Sequence, residues 1–356
     1  MNRIIKLTVA LFFLLLGYQQ VCAQVDTAAI SKIVQMSVDQ NMFEGTVLIA
    51  EKGEIVYHQA FGHKDAKQEQ PIGIDTHFGI ASITKMITAM VVLQLVEEGK
   101  FKLTDNLAEL LPEYDIPKAK KITLHHLLLH ISGLPNEPDA LYQQVLAPKE
   151  VATQTLASST NRLGKFNYAN IDYILLGLII EKVDGKPWHE SVKERILVKT
   201  DMQQTGFLAK GDYPENFAFT FSIDGEQKRQ SDPLFHIENF YAAGCMYATA
   251  ADLLKLDQAM YTEELISEAS RELMFTSYPE YNYTGYSVWT YSYPFAASKP
   301  RIMERRGGIL GSNSVMVRML DTNQTIIILS NNDQFNPDSF GDTSSLREAL
   351  IIELAK

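Results

Sequence analysis

Cysteine is nearly absent from this chain: its 356 residues contain two, Cys22 and Cys245. A disulfide framework is thereby excluded, and a hydrophobic core must hold the fold. Positive charge is also scarce, with 32 Lys and Arg against 43 Asp and Glu and a net charge of −11. So acidic a body repels a phosphate backbone, which argues against nucleic acid as a partner. Past the N-terminus, the strongest apolar run, about Ile171–Val183, is shorter than the ~20 residues of a membrane span. The sequence has no internal repeat, no low-complexity tract and no Gly-x-Ser-x-Gly nucleophile elbow. Nor does it carry a glycine-rich nucleotide loop in a strand–helix setting. What remains is an ordinary globular composition, 46% apolar and 21% charged, with room for one large domain or two interlocked ones.

Residues 1–23 read as a secretory signal, and a secreted or periplasmic location is expected. Arg3 and Lys6 make a positive start, Ile4 to Leu16 is largely apolar, and Val21-Cys22-Ala23 ends in a small residue. An uncleaved anchor is the competing reading, but the apolar stretch is short for a span of ~20 residues. Lipid attachment at Cys22 is a further alternative, set against the poor context of Gln20-Val21. Cleavage would leave a body of charge −13 with Cys245 as its one cysteine.

Periodicity predicts a short helix over 30–38, then strands over 45–50 and 55–61 joined by the turn Glu51-Lys52-Gly53-Glu54. From Ser82 to Glu98 apolar residues occupy almost every helix face, the pattern of a helix buried in the middle of a protein. Residues 104–200 read as mostly helical and 205–240 as irregular. Thr249 to Asp252 resembles a capping box opening a helix to about Met260. Strands are expected at 286–293, 301–305, 314–320 and 325–330, and a closing helix at 343–354. Strand pairs at both ends imply a sheet lobe, about 24–81 and 241–356, with a mostly helical lobe, about 82–240, inserted between. A site is then expected in the crevice between them, walled by 136–165 and 205–240. The aromatics Tyr142, Tyr213, Phe217, Phe219, Phe235, Phe240 and Tyr241 are open to two readings, pocket or packing.

Three elements carry chemistry. Ser82-Ile83-Thr84-Lys85 sets a hydroxyl and an amine on one helix face. A serine needs a base to become a nucleophile, and a buried, neutral lysine serves. The bland alternative is a capping serine beside a solvated lysine. Tyr168-Ala169-Asn170 opens an apolar helix; its phenol can relay a proton and its amide can bridge lysine and substrate. Alone, it reads equally as an aromatic turn and helix cap. Arg305-Arg306-Gly307-Gly308-Ile309 lies at a strand end, where glycines admit a ligand close to the backbone and an amide can meet an oxyanion. Here the alternative is a glycine turn with solvated arginines.

In order and spacing these elements resemble the serine beta-lactamase and penicillin-binding protein superfamily, which uses Ser-x-x-Lys, Ser/Tyr-x-Asn and Lys/His-Thr/Ser/Gly-Gly. The stretches Ile122–Pro135, Tyr168–Glu181 and Ala242–Leu253 also look like class C-like members, so the likeness runs from about Phe43 to about Asn331. The resemblance implies an α+β fold, an antiparallel sheet flanked by helices plus the helical lobe. It implies a serine hydrolase of D-Ala-D-Ala carboxypeptidase or esterase type, with Ser82 as nucleophile, Lys85 as base, Tyr168 as relay and Asn170 positioning substrate. The oxyanion hole would be the amides of Ser82 and Ile309, with Gly307 and Gly308 beside it. Arg306 would stand where the family has lysine or histidine, gripping a substrate carboxylate but moving no proton. Weak or no beta-lactamase activity follows, on small-molecule or peptide substrates, peptidoglycan-like D-peptides or esters. The alternative is a penicillin-binding or cell-wall-sensing protein that acylates and stalls. No cofactor is expected, and no metal: His126 and His130 are four apart on an expected helix, but no Glu stands between them in the metallopeptidase arrangement.

Overall fold

The computed structural model describes residues 25–356, so the signal reading of residues 1–23 lies outside the described residues. A six-stranded sheet forms the frame, in the order 54–61, 45–51, 324–330, 312–319, 301–309, 289–292, with every neighbouring pair antiparallel. Its inner strands are apolar on both faces because both faces are covered. Over one face lie the helices Thr27–Asp39 and Leu346–Leu354, burying Val34, Val47, Val315, Ile328 and Leu350. On the other, Leu48, Met316, Ile327 and Leu329 join a large core shared with the helices between the two ends of the chain. The result is an α+β fold, an antiparallel sheet flanked by helices with an inserted helical lobe. Among the described residues, no helix is long and apolar enough to cross a membrane.

Two buried helices form the heart of the second lobe. In Thr84–Glu97 every residue from Thr84 to Leu95 is buried, which is why its apolar residues show no single face. Asn170–Asp184 buries Ile171 through Ile180 and stops at Gly185, held at φ 68°, a left-handed turn that glycine adopts without strain. The helix Ala250–Ala259 opens as expected, with the Thr249 hydroxyl accepting from the Asp252 amide.

Some expectations need correction. The stretch 104–200 is less helical than its composition suggests. Helices there are confined to Leu107–Leu110, Leu124–Leu128, Pro148–Leu156, Asn170–Asp184 and Trp188–Val192, with a tighter-wound turn over Asp139–Gln143 and a wider-wound one over Lys193–Leu197. Pro112, Pro117, Gly133 and Pro135 break the rest into loops. The strand expected over 286–293 narrows to Trp289–Ser292, because the chain before it curls through left-handed Asn282, Tyr283 and Ser287. The strand expected to stop at Arg305 runs on to Ile309, since Gly307 and Gly308 continue it to a two-residue turn at Leu310-Gly311. That extension sets which side chains face the crevice.

Candidate active site

Ser82 sits in a single tight turn, Ala81–Ile83, that runs directly into the buried helix Thr84–Glu97. Ala81 is forced to φ 44°, a conformation costly for a residue with a Cβ, so the turn presenting Ser82 is held by its surroundings. One helical turn on, Lys85 is fully buried and its Nζ lies 3.0 Å from Ser82 Oγ, 2.6 Å from Asn170 Oδ1 and 2.8 Å from the Ala243 carbonyl. Burial lowers the pKa of the amine, and the Arg305 charge lowers it further, against the opposing pull of Tyr168. A neutral amine has two N–H groups and one lone pair. In that form Lys85 can give its two protons to Asn170 Oδ1 and the Ala243 carbonyl and turn its lone pair to the Ser82 hydroxyl.

Tyr168 approaches Ser82 from the other side, its hydroxyl 2.8 Å from Ser82 Oγ. Burial raises the pKa of this phenol. The charges of Arg305 and Lys85 and the hydrogen bonds with Lys85 and Ser82 outweigh burial and bring it down to about 8. The structure therefore gathers Ser82, Lys85, Tyr168 and Asn170 into one hydrogen-bonded cluster.

The arginine assignment is corrected. Arg305, not Arg306, enters the cluster: its Nη2 donates to the Tyr168 hydroxyl at 2.8 Å and its Nε to the Ser82 carbonyl at 2.7 Å. The guanidinium also lies over the rings of Tyr168 and Trp289. Arg306 points to the opposite face, where it bonds Glu304 and Asp338 beside the buried Arg347. Neighbouring strand residues alternate between faces, so only one of the two arginines can reach Ser82.

The same alternation corrects the oxyanion assignment. The Leu320 amide donates to the Arg301 carbonyl at 2.8 Å, so odd-numbered residues of 301–309 bond toward 312–319. The amide of Ile309 is thereby committed to that ladder. Gly308 is even-numbered, and its amide faces the other edge beyond Glu304, where pairing with 289–292 has ended. Gly307 is pressed against the nucleophile turn; a Cβ there would lie 2.3 Å from the Ile80 carbonyl and 3.1 Å from the Ser82 amide. The amides of Ser82 and Gly308 thus border the same gap.

Sequence reasoning missed several neighbours. Asn136 clamps the Tyr168 loop, donating to the Tyr168 carbonyl and accepting from the Asn170 amide, each at 2.9 Å. Glu137 accepts from Asn170 Nδ2, which turns Oδ1 toward Lys85, and also from the Tyr142 hydroxyl. His130 lies outside the helix it was expected to share with His126, because that helix ends at Leu128. It is buried with its ring 4.3 Å from that of Tyr168, and its Nδ1 lies 3.3 Å from the Ala169 amide and 3.1 Å from Asp172. Burial pushes the pKa of this imidazole well down and that of the Asp172 carboxyl well up, favouring the uncharged form of each. His126 instead accepts the Thr123 amide at 3.1 Å. Among the described residues, no three His, Cys, Asp or Glu side chains converge to hold a metal ion. Only the Ile122–Pro135 stretch, quoted above for its likeness, pointed toward this support.

Comparison with known proteins finds similar sequences and folds. The family model described as Beta-lactamase matches residues 29–351. Penicillin-binding protein 4* of Bacillus subtilis (strain 168) is 27% identical over 320 residues, covering 83% of this chain and 70% of that protein. Teichoic acid D-alanine hydrolase of Staphylococcus aureus (strain MRSA252) is 25% identical over 286 residues, covering 79% and 68% respectively. The crystal structure of D-amino acid amidase from Ochrobactrum anthropi SV3 superimposes with a TM-score of 0.78 over 92% of this chain and 97% of that one. At 21% identity the likeness is one of fold.

Proposed function

The chain belongs to the beta-lactamase and penicillin-binding-protein superfamily of serine hydrolases, class C-like, and on that footing we propose an exported hydrolase acting through an acyl-enzyme on Ser82. Its substrates are esters, amides or peptides of D-amino acids. One observation carries the reading: Ser82 Oγ lies between a buried amine at 3.0 Å and a phenol at 2.8 Å, each with its pKa lowered. In this mechanism Ser82 Oγ attacks the carbonyl carbon while its proton passes to Lys85 or to ionised Tyr168. The carbonyl oxygen takes up negative charge and accepts from the Ser82 and Gly308 amides. The bond to the leaving oxygen or nitrogen then breaks, and Tyr168 returns the proton to that atom. Water attacks the acyl-enzyme, gives its proton to the same relay, and releases the acid and Ser82.

The substrate class is supported by one of the similar proteins, a teichoic acid D-alanine hydrolase. Weak or absent beta-lactamase activity follows from Arg305, which keeps its charge and cannot shuttle a proton. The stalled-acceptor alternative drew its motive from Arg306; with that residue engaged on the far face, the motive passes to Arg305. Intact-protein mass spectrometry against D-Ala-D-Ala peptides, p-nitrophenyl esters and penicillins tests the reading. The expected result is an acyl adduct that forms and decays on the wild type and never forms on Ser82→Ala. Wild type and Ser82→Ala behaving alike toward all three classes would overturn it.

A further inference from the structure

We infer that this enzyme prefers acyl groups bearing a bulky apolar substituent, received in a cavity beside Ser82; the inference deepens the proposed hydrolase reading and rests on it. The cavity encloses about 300 Å³, at the small end of pockets that take organic ligands, roughly 300–1,000 Å³. Its inner wall is Gly79, Ala81, Gly244, Ile309 and Ser312, the residues flanking the nucleophile and the edge that offers Gly308. Ala81 is the chain neighbour of Ser82, and Gly244 follows Ala243, whose carbonyl accepts from Lys85, so the cavity abuts the nucleophile turn.

The outer wall is aromatic. Tyr213, Phe217 and Phe219 pack on one another with ring centroids 5.1–5.2 Å apart, and Leu208, Phe235 and Ile237 complete it. The open question about the crevice aromatics is thus resolved residue by residue. Tyr142 is stacked on Phe240 and Tyr241 is packed against Trp188, and none of these borders the cavity. Three charged residues, Asp65, Lys67 and Asp232, stand among this lining. Asp232 accepts the Gly311 amide, Asp65 accepts the Lys67 amide, and Lys67 is exposed. Leu234 and Phe219 are 53% and 40% exposed at its border, apolar surface that an apolar group would cover.

The side of the site fixes which half of the substrate enters. The leaving group must lie against Tyr168, which gives it the proton. Tyr168, Arg305 and Trp289 border no part of the cavity, which is lined instead by Ala81 and Ile309. The cavity therefore receives the acyl half, either a D-amino acid with a large side chain or a medium-length aliphatic acyl chain.

Two substrate series test this: p-nitroanilides of D-Ala, D-Leu and D-Phe, and p-nitrophenyl acetate, butyrate and hexanoate. At roughly threefold per buried methylene, hexanoate is expected to exceed acetate about 10–100-fold in kcat/KM. D-Phe should exceed D-Ala similarly if the side chain is the occupant. The hexanoate-to-acetate ratio should fall at least about tenfold in Phe219→Asp and in Leu234→Asp. Ser82-dependent turnover that is flat or falling with size would overturn the inference while leaving the hydrolase reading intact. Calorimetric binding of octanoate and acetate to Ser82→Ala gives a readout independent of turnover. Octanoate at least tenfold tighter, and weakened by Phe219→Asp, supports the cavity even if no ester is cleaved; equal affinities count against it.

Discussion

Replacing Lys85 with methionine is expected to lower kcat/KM by roughly 10³-fold, within the ~10²–10⁴ range that a positioned base contributes. Methionine fills nearly the same buried volume but offers Ser82 no lone pair to take its proton. The fold should survive. Asn170 Oδ1 and the Ala243 carbonyl lose a donor, at ~1–3 kcal/mol each. Against that, a desolvated amine no longer has to be kept buried in the core. The melting temperature should stay within several degrees of wild type, the shift that about 1–2 kcal/mol produces in a domain of this size. Steady-state rates and a melting curve on the same sample check both halves. Wild-type rates in a folded Lys85→Met protein would remove the amine from the mechanism.

Arg305→Gln is expected to change the pH dependence more than the limiting rate. The guanidinium holds Tyr168 at about 8 and lowers Lys85 as well. Tyr168 must shed its proton to accept one from Ser82, so wild-type kcat/KM should climb as pH rises toward about 8 and level off above it. Without Arg305 both groups hold their protons to higher pH, and the climb moves upward by about one unit. At pH 7 the variant should then be ~10-fold slower, with the gap closing under alkaline conditions. Arg305→Lys keeps a charge near the phenol and should recover part of the shift. An equal loss at every pH would show that Arg305 only shapes the site.

Which features the sequence disclosed depended on how locally each is determined. Ser82 and Lys85 are three residues apart on one helical segment, so backbone geometry alone brings them together. The sheet was legible because its strands alternate or run apolar between clear turns. Choosing between Arg305 and Arg306 was different, since adjacent strand residues face opposite ways. The outcome rests on a register fixed at the Leu310-Gly311 turn and on the pairing of Leu320 with Arg301. Asn136 and Glu137 stand on an irregular loop with no periodicity to mark them. The aromatics of 205–240 could not be sorted by composition, because lining a cavity and filling a core call for the same side chains. Over 104–200 the apolar content is real, but prolines and glycines convert much of it into buried loops.

The sheet joins Gly45 to Ser330, the first strand of the described chain to its last. Arg305 reaches back across 223 positions to Ser82, and Tyr168 across 86. Closing loops of that length comes late in folding. A polypeptide whose final strands have not docked therefore lacks the assembled cluster around Ser82. Truncation after Asn323 should abolish labelling of Ser82 by a fluorophosphonate even where helical circular dichroism persists. Topology thus ties reactivity to completion of the sheet.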